Sequence, residues 1–202
     1  VEGAKAAIDI LGTAHRLAIV EYHDRNIPPQ VLSGFTTDKG ILRRAIDQFR
    51  ASQFLSGASL CWDAVYKGLS LFPEKPDLNV VKVLYFLSDG FDTSSPTTPS
   101  QLIDHAKDKG VQVFALGYGD VQAEDKETMV DMSDSTGGSY YAATAMEDLK
   151  PKIEMLARDL QGQYKVSYIT LRNRGQHNVK VTVDYKGMQT SFTRNNLDLG
   201  SI

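Results

Sequence analysis

The segment Val80–Leu87 constrains the fold more than any other part of the chain. It is broken only by Lys82, carries five successive apolar residues in Val83-Leu84-Tyr85-Phe86-Leu87, and closes on Ser88-Asp89-Gly90. A run of strand length with apolar side chains on both faces reads as a central parallel strand covered by helices on each side. Val83, Tyr85 and Leu87 are therefore expected to be buried along with Leu84 and Phe86. The run is far too short for the roughly 18 apolar residues that span a bilayer.

Helical and strand periodicities alternate around this segment. Ala4, Ala7, Ile8 and Leu11 recur at helical spacing within Val1–Leu11, and Leu17–Tyr22 is a compact apolar run. A shorter extended piece around Gln30–Leu32 follows Pro28-Pro29, which suits an edge strand because proline cannot donate to a ladder. Asp38 reads as a helix N-cap, with Ile41, Leu42, Ala45, Ile46 and Phe49 forming the buried face. Further helices are expected over Ser59–Leu71, Gln101–Lys109, Lys126–Ser135 and Leu149–Leu160, with Pro151 placed in a first turn. Strands are expected at Val111–Leu116 and Ser139–Ala142. Strands alternating with helices over residues 1–160 imply an α/β fold with a doubly wound, mostly parallel sheet.

From Gln163 the pattern becomes pure alternation. Tyr164, Val166 and Tyr168 share one face, while Val179, Val181, Val183 and Tyr185 share another. Turns at Arg174-Gly175 and Lys186-Gly187 join three antiparallel strands. Residues 161–202 thus read as a small antiparallel β unit, a meander that needs a second layer, as in a β-sandwich, because three strands cover one apolar face poorly.

Composition excludes several functional classes. The chain has 202 residues, a formal net charge of −3 and scattered Lys and Arg, which argues against nucleic acid as a partner. Its single cysteine, Cys61, rules out an internal disulfide framework and a cysteine-rich zinc site. His15, His23, His105 and His177 share no metal-ligand spacing. Phosphate-binding and nucleophile-elbow motifs are missing, and Gly117-x-Gly119 lacks the third glycine of a dinucleotide fingerprint. No enzymatic chemistry is expected.

Four segments, in order, resemble the von Willebrand factor A-type family, of which integrin I domains are examples. They are Leu17–Asp24, Gly57-Ala58-Ser59-Leu60-Cys61-Trp62-Asp63-Ala64, Val83–Gly90 ending in Ser-Asp-Gly, and Val111–Gly119 with Thr136-Gly137-Gly138-Ser139-Tyr140-Tyr141. The resemblance covers about residues 1–160 and implies a Rossmann-like sheet with a metal-ion-dependent adhesion site at the C-terminal edge of its strands, where ligands bind in open α/β sheets. Ser59 matches the family's Thr/Ser ligand and Asp89 its Asp ligand. These oxygen donors suit Mg²⁺ or another divalent cation, whose open coordination position takes a carboxylate from a protein partner.

One departure matters. The family's Asp-x-Ser-x-Ser loop occurs nowhere in the sequence, and Asp198-Leu-Gly-Ser-Ile202 does not replace it. In the family that motif sits just before a helix like Val1–Leu11, so residues upstream of Val1 are expected to carry it; a degenerate domain and a strand supplied by another chain are the alternatives. The cation is expected only where that loop is present. Asp92 and Asp120 read as ordinary loop residues of the same edge, and Trp62 as a core or edge aromatic.

The resemblance implies a protein-binding or adhesion module of an extracellular, cell-surface or periplasmic protein, binding a protein ligand or a neighbouring subunit. The alternative is a metal-independent structural module in a larger assembly.

Overall fold

The computed structural model describes residues 2–12, 14–22, 27–51, 59–74, 80–89, 92–161 and 175–198. They form two compact units, Val1–Gln163 and Tyr164–Ile202. In the first, α1 (Glu2–Ile10), β1 (Leu17–Glu21), β2 (Gln30–Thr36), α2 (Lys39–Ala51), α3 (Cys61–Ser70) and β3 (Lys82–Ser88) come in that order. They are followed by α4 (Pro99–Lys109), β4 (Val111–Tyr118), α5 (Ala123–Thr136), β5 (Tyr140–Ala143) and α6 (Met146–Gln161). β3, β4 and β5 pair in parallel and in sequential order, and β1 pairs with β2 antiparallel. Helices flank the sheet as the alternating periodicities require.

The main core lies between the sheet and α3, α4 and α5. Cys61, Trp62, Val65 and Leu69 of α3 meet Leu84 and Phe86 of β3. Leu102, Ala106, Val111, Val113, Ala115, Met129 and Met132 continue the same layer. Burying a leucine such as Leu69 or Leu102 contributes about 2 kcal/mol. A smaller cluster joins Ile8 of α1, Leu42 and Ile46 of α2, and Leu17 and Ile19 of β1. Asp38 caps α2 as expected, its Oδ1 accepting from the N–H groups of Gly40 (2.7 Å) and Ile41 (3.1 Å). Ile41 itself is exposed, because the buried stripe of α2 runs through Leu42, Ala45 and Ile46; the side chain of Phe49 lies outside the described residues.

The central strand departs from expectation on one face. Leu84 and Phe86 are buried, but Tyr85 is 37% and Leu87 42% exposed. Their face meets α6 at one point, where the Tyr85 hydroxyl donates to the Leu156 carbonyl at 3.1 Å. Among the described residues, β3 pairs on one side only, with β4.

Two lysines are buried instead. Lys82 Nζ donates to the carbonyls of Pro73 (3.1 Å) and Lys109 (3.0 Å), and Lys109 Nζ donates to the Phe72 carbonyl and Glu74 Oε1, both at 2.8 Å. These cations satisfy carbonyls just past the C-terminus of α3, where the helix dipole favours positive charge. Lys82, which interrupts the apolar run, is thus a tether for the loop after α3.

α4 begins with a capping box, Thr98 and Gln101 bonding reciprocally, with Pro99 in its first turn. α6 starts earlier than expected because Asp148 caps it: Oδ2 accepts from Ala145 N (3.2 Å) and Thr144 Oγ1 (3.3 Å). Pro151 consequently lies inside the helix, past its first turn. It removes one intrahelical bond near the start, where little preceding helix is lost.

In the second unit, β6 (Gln176–Tyr185) and β7 (Met188–Asp198) form an antiparallel hairpin. Lys186 (φ 51°) and Gly187 (φ 81°) make the two-residue turn with positive φ at both positions that matches strand twist. Val181 pairs with Phe192, Val183 with Thr190 and Tyr185 with Met188, so the apolar residues share one face as the alternation predicts. The strand expected at Tyr164–Leu171 falls outside the described residues.

Candidate functional site

The C-terminal ends of β1 and β3 and the N-terminus of α3 converge on a buried polar cluster. The Tyr22 hydroxyl donates to the Leu87 carbonyl at 2.9 Å. It also lies within hydrogen-bonding reach of the Cys61 thiol and the Ser88 hydroxyl. Burial pushes the Cys61 thiol up from 9.0 to about 11, with the Asp92 and Asp89 charges adding to the rise while hydrogen bonds from Tyr22 and Ser88 oppose it. Burial likewise raises Tyr22 well above its ordinary value, with the Cys61 charge next in importance. Cys61 is therefore a protonated, unreactive packing group. Trp62 beside it is 8% exposed and meets the Phe86 ring edge-on, centroids 6.2 Å apart, which makes it a core residue.

Above this cluster, the loop leaving β3 is laced to α3. Asp92 Oδ2 accepts from Trp62 N at 2.6 Å, and its Oδ1 accepts from Ser94 N (3.1 Å) and Ser95 N (2.9 Å). Asp63 N donates to Ser95 Oγ at 3.0 Å, and Thr97 N returns to Asp63 Oδ1 at 3.3 Å. The α3 cap residue, Leu60, has no side-chain capping bond, so Asp92 caps the helix from across the edge. The expectation of Asp92 as an ordinary loop aspartate is corrected accordingly. The local Asp92-x-Ser94-Ser95 turn is readable in sequence as an Asx turn; its grip on a helix thirty residues earlier is not. Asp92→Ala is expected to lower stability by about 1–3 kcal/mol, since it strips acceptors from partly buried N–H groups. Urea denaturation measures this, and Asp92→Asn should lose less than Asp92→Ala because its amide oxygen still accepts.

The two residues matched to metal ligands stand on this edge. Ser59 precedes α3, its N–H donating to Thr93 Oγ1 at 3.2 Å and its carbonyl accepting from Thr93 N at 3.4 Å. Asp89 directly follows β3. Ser59 is thereby tied to the loop that Asp89 opens, while Gly57, Ala58 and Gly90 lie outside the described residues. Asp125, in the first turn of α5, joins the same electrostatic neighbourhood: burial raises its carboxyl, and Glu124, Asp89 and Asp92 raise it further. Asp120 follows Gly119 (φ 77°) beyond the end of β4. The edge is thus rich in oxygen donors and negative charge.

As a cation site it is partial. Among the described residues, no three His, Cys, Asp or Glu side chains converge so as to hold a metal. Both Asp92 oxygens are engaged by backbone N–H groups. Ser59 and Asp89 are donors of the right hardness, but two fall short of six-coordination without waters or further ligands. Among the histidines, His105 stacks on Tyr66, centroids 4.8 Å apart, His15 Nδ1 contacts the Gly12 carbonyl, and His23 lies outside the described residues. No helix among the described residues is long and apolar enough to cross a membrane.

A helix-flanked parallel sheet whose loops converge at the C-terminal strand edge defines a doubly wound α/β domain. The family model for the von Willebrand factor type A domain matches residues 5–155, and the chain belongs to that family, whose domains are generally protein-interaction modules. No curated protein matches the sequence. Among solved structures, a von Willebrand factor type A protein from Catenulispora acidiphila is similar at TM-score 0.61 and 12% identity, over 98% of this chain and 50% of that one. The vWF domain of the type V pili tip protein Mfa5 from Porphyromonas gingivalis is similar at TM-score 0.60 and 13% identity, covering 84% and 89%. BatB from Bacteroides thetaiotaomicron is similar at TM-score 0.56 and 12% identity, covering 80% and 86%. At these identities the likeness is one of fold.

Proposed function

We propose that the chain is a protein-binding module, not an enzyme, whose partner docks on the loops at the C-terminal edge of β3 and β4. The observation that carries this reading is the clustering of Ser59, Asp89, Asp92 and Asp125 on one edge, with the loop beneath fixed to α3 by the Asp92 bonds. Rigid loops presenting oxygen donors suit recognition at low ordering cost. Where an Asp-x-Ser-x-Ser loop completes the set, Mg²⁺ or another divalent cation held in part by Ser59 and Asp89 supplies a position for a partner carboxylate. An extracellular, cell-surface or periplasmic setting fits such a module, as for the pilus-tip domain that shares the fold. The second reading is a structural module that uses no metal; the engagement of both Asp92 oxygens by backbone N–H groups, which serves the fold alone, is the observation that favours it.

Calorimetric titration with MgCl₂ distinguishes the two. In a chain that also carries an Asp-x-Ser-x-Ser loop, the cation reading expects saturable binding, a higher thermal midpoint, and loss of both in Asp89→Ala. Stabilisation reaches about 2.7 kcal/mol when Mg²⁺ is a hundredfold above Kd. Equal binding by Asp89→Ala removes Asp89 from the ligand set. No binding by the chain that carries that loop leaves the metal-independent reading.

A further inference from the structure

A second surface lies on the flank formed by α3 and α4. Gln101, Asp104, His105 and Asp108 follow the spacing of one helical face, while Leu102, Ala106 and Lys109 take the buried face. With Tyr66 of α3 and Thr97 of the loop before α4, they line a cavity of about 480 Å³ that is open to solvent. Its walls are fixed within the fold. Thr97 N donates to Asp63 Oδ1 at 3.3 Å, and the capping box of Thr98 and Gln101 holds the first turn of α4. Tyr66 stacks on the His105 ring, centroids 4.8 Å apart and planes 16° from parallel, yet it remains 43% exposed. His105 Nε2 behind it is buried without a hydrogen-bond partner among the described residues, so that atom does not hold the stack.

The charge of this cavity is one-sided. No lysine or arginine lines it, and the carboxylates of Asp104 and Asp108 form no ion pair or hydrogen bond among the described residues. Lys109, in the same turn as Asp108, is taken up by the Phe72 carbonyl and Glu74. Both acids work against the helix that carries them. Like charges four residues apart repel, aspartate is a poor former of helix interiors, and the dipole disfavours negative charge in a last turn. A cation seated between the two carboxylates removes that repulsion.

We propose that this cavity takes the side chain of an arginine presented by a partner polypeptide. The exposed Tyr66 ring receives the guanidinium plane, and Asp104 and Asp108, roughly 5–6 Å apart at Cβ, accept its N–H groups. Lysine suits the cavity less well, because a compact, strongly hydrated ammonium neither stacks as a plane nor forks across two carboxylates. Free arginine is disfavoured for a different reason. Its own carboxylate would face Asp104 and Asp108 with no lining cation to receive it, whereas an arginine within a polypeptide carries none. The site uses neither Ser59 nor Asp89, so it goes beyond the loop-edge reading and stands without the cation.

The test is an NMR titration of the ¹⁵N-labelled full chain, without divalent cation, using capped peptides Gly-Gly-X-Gly-Gly in which X is arginine, lysine or citrulline. The arginine peptide is expected to give saturable shifts at the amides of Tyr66 and Gln101–Asp108. Lysine should bind about threefold more weakly, and neutral citrulline should give no saturable shift. Asp104→Asn combined with Asp108→Asn should weaken arginine binding roughly tenfold. Tyr66→Leu should erase the preference for arginine over lysine, and unshifted amides in β3 and β4 report that each variant is folded. No saturable shift, equal affinity for lysine or citrulline, unaltered affinity in the double variant, or a preference kept in Tyr66→Leu overturns the site. Tighter binding of free arginine than of the capped peptide overturns the polypeptide source.

Discussion

Gly138→Ala is expected to abolish the native sheet edge. A Cβ at Gly138 would lie 1.9 Å from the Val113 carbonyl oxygen and 2.6 Å from its carbon, both backbone atoms of β4. No rotamer relieves this clash, so the chain between α5 and β5 must move away from β4. That movement breaks the bond from Ala115 N to the Ser139 carbonyl and the β4–β5 ladder beyond it. The loss should exceed about 3 kcal/mol, the upper range for overpacking, and a marginal domain would unfold. Gly137→Ala is the internal comparison. Gly137 ends α5 at φ 81° with nothing closer than 3.7 Å to its Cβ position, so only the left-handed backbone is penalised, by about 1–2 kcal/mol. Chemical denaturation of both variants reads the difference; equal losses would show that the close approach of Gly138 to β4 is not a constraint.

This pair also shows how motif and mechanism part in the sequence. Gly137-Gly138 was legible as a family signature, but the two glycines serve different purposes that only the register of β4 and β5 separates. The same holds for the helices. Asp38 announced its cap because the acceptor and the N–H groups it serves lie within three residues. Asp92 did not, because its principal donor, Trp62 N, is thirty residues away and meets it only through folding. Local chemistry is readable in sequence; chemistry closed by tertiary contact is not.

The apolar run of β3 was equally instructive. Its composition gives a buried strand, and Leu84 and Phe86 obey. The exposure of Tyr85 and Leu87 depends on what stands beside and over the strand, which periodicity does not encode. Lys82 was readable only as an interruption, although its ammonium group ties the loop after α3. At the site, Ser59 and Asp89 were legible as a hydroxyl and a carboxylate flanking one edge; the buried Tyr22–Cys61–Ser88 cluster beneath them was not, since it draws on three separate segments.

That cluster should make the fold sensitive to alkali. The folded chain holds Cys61 as a neutral thiol, raised from 9.0 to about 11 chiefly by burial. Tyr22 is raised from its ordinary 10.0 in the same direction and for the same first reason. The unfolded chain ionises both groups at their ordinary values and so binds fewer protons there than the folded chain, which makes stability fall as pH rises. The contribution is complete below pH 9 and is lost as pH rises through about 11. For Cys61 the rise from 9.0 to about 11 corresponds to about 3 kcal/mol of folding free energy. Tyr22 adds to it, and like charges on the two groups would repel, so the losses should be steeper together than apart. Urea denaturation between pH 7.5 and 10.5 tests this by comparison of variants, since surface lysines and other tyrosines titrate in the same range. Cys61→Ala should flatten the alkaline slope, Tyr22→Phe should flatten it further at the upper end, and the double variant should lose least. In the unaltered protein Cys61 should react with a thiol reagent only as fast as the domain opens. Rapid labelling below pH 9, or slopes unchanged in both variants, would show that the thiol is solvated and that burial does not govern its ionisation.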